Sequence, residues 1–167
     1  MADWSPAIAN EFIRRARAEK RALTQMQLQK LVYIAHGWNL AINGQPLTYD
    51  SPEAWDYGPV YKELRRALRH YGSDAVTKDI KYDDYVPGCF EDASEQDARA
   101  ELSPGEQAVI DRVYRDYAKY HAFQLSALTH KRGTPWTTVY QDGSGKFREI
   151  PAEMIRGHFV ELATGTA

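Results

Sequence analysis

Five histidines (His36, His70, His121, His130 and His158) and one cysteine (Cys89) are the side chains best suited to metal or nucleophilic chemistry in this 167-residue chain. A helical metal site needs two ligands four residues apart so that both reach one face, and no two of these histidines are spaced that way. A single cysteine forms neither an internal disulfide nor a thiolate cluster within one chain, and Cys89 lies in an acidic stretch away from any histidine. There is no Gly-rich phosphate loop and no Gly-x-Ser-x-Gly turn. Gly143-Ser144-Gly145-Lys146 has the ending of a phosphate loop but lacks its spacing and its preceding apolar strand, and reads as a surface turn. The pattern therefore predicts no catalytic residue, no metal and no cofactor. A small hydrolase built on His36, His130 and nearby acids would require those histidines to converge on a nucleophile.

The residue types that do stand out are those of molecular recognition. Trp38, Trp55, Tyr57 and Trp136 each bury a large area at low side-chain entropy cost, which is why such residues dominate protein interfaces. The segment Glu53-Ala54-Trp55-Asp56-Tyr57-Gly58-Pro59-Val60 concentrates two of them against a Gly-Pro pair. Trp38 belongs to an apolar stripe and reads as core. Trp55 and Tyr57 read either as structural anchors or as partner contacts, with His130 and Trp136 as possible buttresses from the C-terminal half.

Helices must position these residues. Ile8, Ala9, Phe12, Ile13 and Ala16 recur at helical spacing between Pro6 and Arg21, with Arg14, Arg15, Arg17 and Lys20 elsewhere on the wheel. Thr24 and Gln27 form a capping-box pattern, and Leu23 and Leu28 occupy the two staple positions around it. Leu28, Leu31, Val32, Ala35, Trp38 and Ile42 then make one stripe ending at Asn43-Gly44, the expected central helix. Gly37 costs that helix about 1 kcal/mol relative to alanine, so another element is expected to approach closely there.

Pro46, Asp50, Ser51 and Pro52 break helicity, which makes 45–57 a loop or short extended piece. Gly58-Pro59 is read as a helix start, with Pro59 at the first helical position and Val60, Leu64, Ala67, Leu68 and Tyr71 on one face. Lys62, Arg65, Arg66 and Arg69 line the other face. Ser103-Pro104-Gly105-Glu106 repeats the capping-box logic ahead of Ile110, Val113, Tyr114, Tyr117 and His121. Tyr114, Tyr117 and Tyr120 fall near one face, where core packing and base stacking are both open readings. A short helix follows over Phe123 to His130, broken by Gly133 and Pro135. A last helix after Ile150-Pro151 carries Met154, Ile155, Phe159 and Leu162 inward.

Residues 73–101 hold nine acids against three bases, with Pro87-Gly88 in the middle. Such a stretch reads as a long, mobile connection, either solvated or forming an acidic lip toward a basic surface. The whole is expected to be mainly α: a single domain over 1–162 of five to seven helices, an irregular or short extended segment around 45–57, an acidic connecting loop at 73–101 and a flexible tail at 163–167.

No apolar run approaches the roughly 20 residues of a membrane span, and no signal-peptide layout opens the chain. A cytoplasmic protein with no membrane partner is expected. The formal net charge is −2, which offers no bulk attraction to nucleic acid. Nucleic acid is thus not an expected partner, although a transcriptional regulator using Lys62, Arg65, Arg66 and Arg69 with the basic first helix stands as the alternative function.

Three blocks taken together resemble the Panacea domain of SocA-like antitoxins: Leu28 through Trp38, Ala54-Trp55-Asp56-Tyr57-Gly58-Pro59-Val60-Tyr61, and Leu128-Thr129-His130 with Pro135-Trp136. Their order and spacing agree over about 23–162, and no appended helix-turn-helix segment is seen. The resemblance implies a noncatalytic antitoxin that binds and neutralises a cognate protein toxin made from a neighbouring reading frame. It further implies a proteolytic adaptor that delivers the toxin to the ClpXP protease. The candidate partner-binding residues are Trp55, Asp56, Tyr57, Gly58, Pro59, Val60, Tyr61, His130 and Trp136.

Overall fold

In a computed structural model, which describes residues 2–86 and 95–166, the described chain forms seven α-helices, one of them central to the others. The fold is mainly α, with a few two- and three-residue strands. Helix α1 spans Ser5–Ala18, and α2, the central helix, spans Gln25–Asn43. The Thr24–Gln27 capping box closes the start of α2 in both directions, and Gly44 ends it in the left-handed conformation, at φ 70°. Residues 28–37 of α2 are buried all round because α1, α4 (Pro104–Tyr117), α5 (Ala122–His130) and α7 (Ala152–Thr164) pack on it from several sides.

The close approach expected at Gly37 is made by α7. A Cβ on Gly37 would lie 2.2 Å from the Phe159 ring, and that ring also meets Trp38 edge-on at 5.2 Å. Ile155 and Phe159 are buried, whereas Leu162 is exposed rather than inward. Helix α7 continues to Thr164, so residues 163 and 164 complete the last helix before Gly165 caps it.

The reading of Gly58-Pro59 as a helix start is corrected. Gly58–Val60 is a strand, β3, paired antiparallel with β2 (Glu53–Trp55), and helix α3 begins only at Lys62 and runs to Leu68. Gly58 has φ 110°, a backbone conformation that L side chains rarely adopt, so its role is to turn a hairpin. Pro59 is tolerated in β3 because the outer side of that strand is met by side chains, not by another ladder. Residues 147–150 run along the other edge of β2, with Ala54 N–H donating to the Arg148 carbonyl and Phe147 N–H to the Ala54 carbonyl.

Pro135 likewise does not merely break the chain. It opens a further helix, α6 (Pro135–Tyr140), behind the Thr134 cap, as proline can at a first helical position. Helix α4 ends at Tyr117, and His121 caps α5 instead of extending α4. The first helix stops at Ala18, short of Arg21.

The described flanks of the acidic stretch 73–101 pair with and pack on the rest of the fold. Strand β4 (Ala75–Val76) pairs with β1 (Leu23–Thr24), and Val76, Ile80, Tyr85 and Ala98 are buried. Asn10 of α1 ties both flanks together: its Nδ2 donates to the carbonyls of Ile80 and Ala98 at 2.8 Å, and its Oδ1 accepts from Ile80 N–H at 2.7 Å. Pro87, Gly88 and Cys89 lie outside the described residues.

Candidate functional site

The β2–β3 hairpin is held by side chains from three helices, and each of its tethers ends on a backbone carbonyl. From α6, Trp136 Nε1 donates to the Trp55 carbonyl at 2.7 Å. From α5, His130 Nε2 faces the Asp56 carbonyl at 3.4 Å and Ser126 Oγ donates to the Tyr57 carbonyl at 3.1 Å. From α2, Lys30 Nζ donates to the Pro59 carbonyl at 3.0 Å and Gln29 Nε2 to the Tyr61 carbonyl at 3.0 Å. Gln29 Oε1 also accepts from Tyr61 N–H at 2.8 Å. Backbone groups that a third strand would have satisfied are thus satisfied by the helices, as buried peptide groups must be.

The electrostatics match that role. Lys30 is 1% exposed and has no carboxylate in salt-bridge range among the described residues, so desolvation lowers its pKa to about 7. Gly58 is required beside it: a Cβ there would lie 2.8 Å from the Thr129 hydroxyl and 2.9 Å from Lys30 Cε. Tyr61 is fully buried beneath the hairpin, and burial pushes its phenol well up.

What the hairpin presents outward is narrow. Gly58, Pro59 and Tyr61 are buried and Val60 is half-buried, while Asp56 and Tyr57 stand at the turn, Tyr57 with 66% exposure. Asp56 is fixed there by Tyr140, which donates to Oδ1 at 2.7 Å, and by Lys146, which donates to Oδ2 at 2.7 Å. The lysine first and the phenol second hold its carboxyl below the usual range. Trp55 is half-buried, its Nε1 bonded to Glu53 at 2.9 Å and its ring set between the Arg65 guanidinium (5.1 Å) and the edge of Phe147 (4.9 Å). Phe147 is 53% exposed, and Phe123, one turn before Ser126 on α5, is 80% exposed. His130, Trp136 and Tyr140 form a ring ladder behind the turn, with centroids 3.9 and 4.4 Å apart.

Of the residues singled out from sequence, His130 and Trp136 buttress the hairpin and Gly58, Pro59 and Tyr61 build it. Asp56 and Tyr57 are exposed, and Trp55 and Val60 are half-buried. Phe147, Tyr140, Lys146 and Arg65 join that surface and were missed, as were the tethers Gln29, Lys30 and Ser126. The signal for the tethers was there in Gln29-Lys30, two long polar residues in the second turn of the central helix, where the apolar stripe begins.

The other chemistries are not assembled among the described residues. His36 is buried, which lowers its pKa to about 4, and its Nδ1 accepts from the N–H groups of Leu47 and Thr48 at 3.2 Å. It shares no hydrogen-bond partner with His130, and no three His, Cys, Asp or Glu side chains are placed to hold a metal ion. No described helix is long and apolar enough to cross a membrane. The cations of the nucleic-acid alternative are mostly engaged: Arg14 and Arg17 with Asp79, Arg15 with Asp111, Lys62 with Glu53 and Arg66 with Glu63. Tyr114 is buried and donates to Glu19 at 2.7 Å, a packing role.

Comparison with known proteins follows the same geometry. The family model described as antitoxin SocA-like, Panacea domain, matches residues 28–137, a span that contains the hairpin and all five of its helical tethers. Antitoxin SocA of Caulobacter vibrioides (strain NA1000 / CB15N) is 30% identical over 136 residues, covering 80% of this chain and 68% of that relative. No solved structure matches the chain.

Proposed function

We propose that this chain, which belongs to the SocA-like, Panacea-domain antitoxin family, binds the protein toxin encoded beside it and neutralises it without catalysing a reaction. The observation that carries this reading is the tethered hairpin. Four carbonyls between Trp55 and Tyr61 accept hydrogen bonds from side chains of α2, α5 and α6, and the His130 ring lies beside a fifth, which leaves Asp56 and Tyr57 exposed on a rigid support. A preorganised turn bearing an exposed aromatic loses little entropy on binding, which favours recognition of another protein. The surrounding Arg65, Phe147 and Phe123 widen the turn into a mixed aromatic and cationic surface.

Coexpression with the product of the adjacent gene tests the proposal. A stable complex together with restored growth supports it, and the lack of both sinks it. In the fuller version the antitoxin is an adaptor that hands the toxin to ClpXP in the cytoplasm. That version requires toxin lifetime in cells to shorten when antitoxin and protease are both present; an unchanged lifetime reduces the mechanism to sequestration.

A further inference from the structure

A cavity of about 380 Å³ opens between α2, the turn joining α5 to α6, and α7. Ile34, Pro135 and Phe159 make its walls apolar, and Leu128 and Leu162 carry that apolar surface out to the rim, where they are 36% and 41% exposed. Tyr33 enters from α2 with its ring edge-on to Phe159 at 6.1 Å. Tyr33 is only 3% exposed and its hydroxyl has no hydrogen-bond partner among the described residues. Burial raises its pKa, so it remains a protonated donor.

The rim is cationic. Lys131 and Arg132 are exposed, and neither has a carboxylate in salt-bridge range among the described residues. Glu161 is the one acid lining the cavity, and burial lowers the pKa of its neighbour His158. An apolar trough with two cations against one carboxylate at its mouth is complementary to an apolar segment that also carries negative charge. The exposed leucines extend beyond the cavity itself, which suits a stretch of polypeptide better than a compact small molecule. Helix α5 adjoins both surfaces: Ser126 and His130 reach the hairpin, while Leu128 and Thr129 line the trough.

We infer that this trough receives an apolar segment of the toxin bearing a carboxylate, its apolar side chains against Phe159 and Leu128 and its carboxylate at Arg132 and Lys131. The inference rests on the antitoxin reading above and names a second contact region for the same partner. Both variants that test it alter exposed or half-exposed side chains, Arg132→Glu and Leu128→Asp, and thermal melts verify that each stays folded. The probe is the purified product of the adjacent gene, titrated by calorimetry into the full chain.

Each variant is expected to weaken binding by about tenfold or more, as reversing or burying a charge at a complementary interface does. Wild-type affinity in both variants overturns the trough while leaving the antitoxin reading intact. No binding by the unaltered chain overturns that reading, and the trough proposal with it. If light scattering instead shows the chain self-associating, and Arg132→Glu disperses it without changing toxin affinity, a second copy occupies the trough and the proposal is overturned.

Discussion

The carboxamide of Gln29 lies against the backbone of Tyr61 as a neighbouring strand would, donating to its carbonyl at 3.0 Å and accepting from its N–H at 2.8 Å. One side chain of the central helix thus completes the edge of a β-hairpin 32 residues away. Lys30, the next residue, donates to the Pro59 carbonyl. The first and second blocks of the sequence resemblance are therefore one physical unit, and His130 and Trp136 add the third.

Replacing Gln29 with leucine should destabilise the fold by about 2 kcal/mol or more, because the buried N–H and carbonyl of Tyr61 both lose their partner. Gln29→Glu should also destabilise it, since a carboxylate keeps the acceptor but opposes the Tyr61 carbonyl. Urea unfolding measures both. A loss below about 0.5 kcal/mol for leucine would contradict the strand-like role, being within the range of neutral surface changes.

Lys30 should make stability rise with pH. Its folded pKa, about 7, lies below the 10.5 of the unfolded chain, so between those values the unfolded state holds a proton that the folded state has released. The cost of burying Lys30 is fully present below pH 7 and is relieved as pH climbs above it. Lys30→Met should consequently gain most on the wild type at or below pH 7, and its stability curve should be flatter above it. Parallel curves for the two proteins would refute this.

His36 contributes a slope of the same sign in a more acidic window. Its folded pKa is about 4 against 6.5 unfolded, so stability should fall as pH drops from 6.5 toward 4, by on the order of 3 kcal/mol in total. His36→Gln keeps an acceptor near the N–H groups of Leu47 and Thr48 but does not titrate. Melting temperatures across that window should therefore fall less in the variant.

Gly37→Ala should cost about 1–3 kcal/mol, since its new methyl group overlaps the Phe159 ring and α7 must shift. Pairing it with Phe159→Leu should cost less than the sum of the two single changes, because the clash is relieved where it arises. Strict additivity in thermal melts would show that the helices do not meet there.

Local patterns were legible in the sequence. The Thr24–Gln27 and Ser103–Glu106 boxes lie within four residues, and the structure forms both. Gly37 was legible because a glycine inside a strong helical stripe needs a packing reason, and Phe159 supplies it. The hairpin was not, because Gly58-Pro59 is locally compatible with a helix start. What makes it a strand is Gln29, Lys30 and Ser126, all remote in sequence. Side-chain bonds to distant carbonyls leave no periodic trace, so the tethers passed as ordinary members of a helix. The patch around Tyr57 was only half legible, since Phe147 and Lys146 reach it from a segment that reads as a plain surface turn.

The central claim is that the helices hold the hairpin so that its exposed turn can bind the toxin. Tyr57→Ala tests it most directly, because Tyr57 is 66% exposed and only its backbone carbonyl serves the tethering. Calorimetric titration with the adjacent gene's product should show affinity falling by about tenfold or more, as for an aromatic at the centre of an interface, with the thermal melt unchanged. Wild-type affinity in Tyr57→Ala would contradict the account.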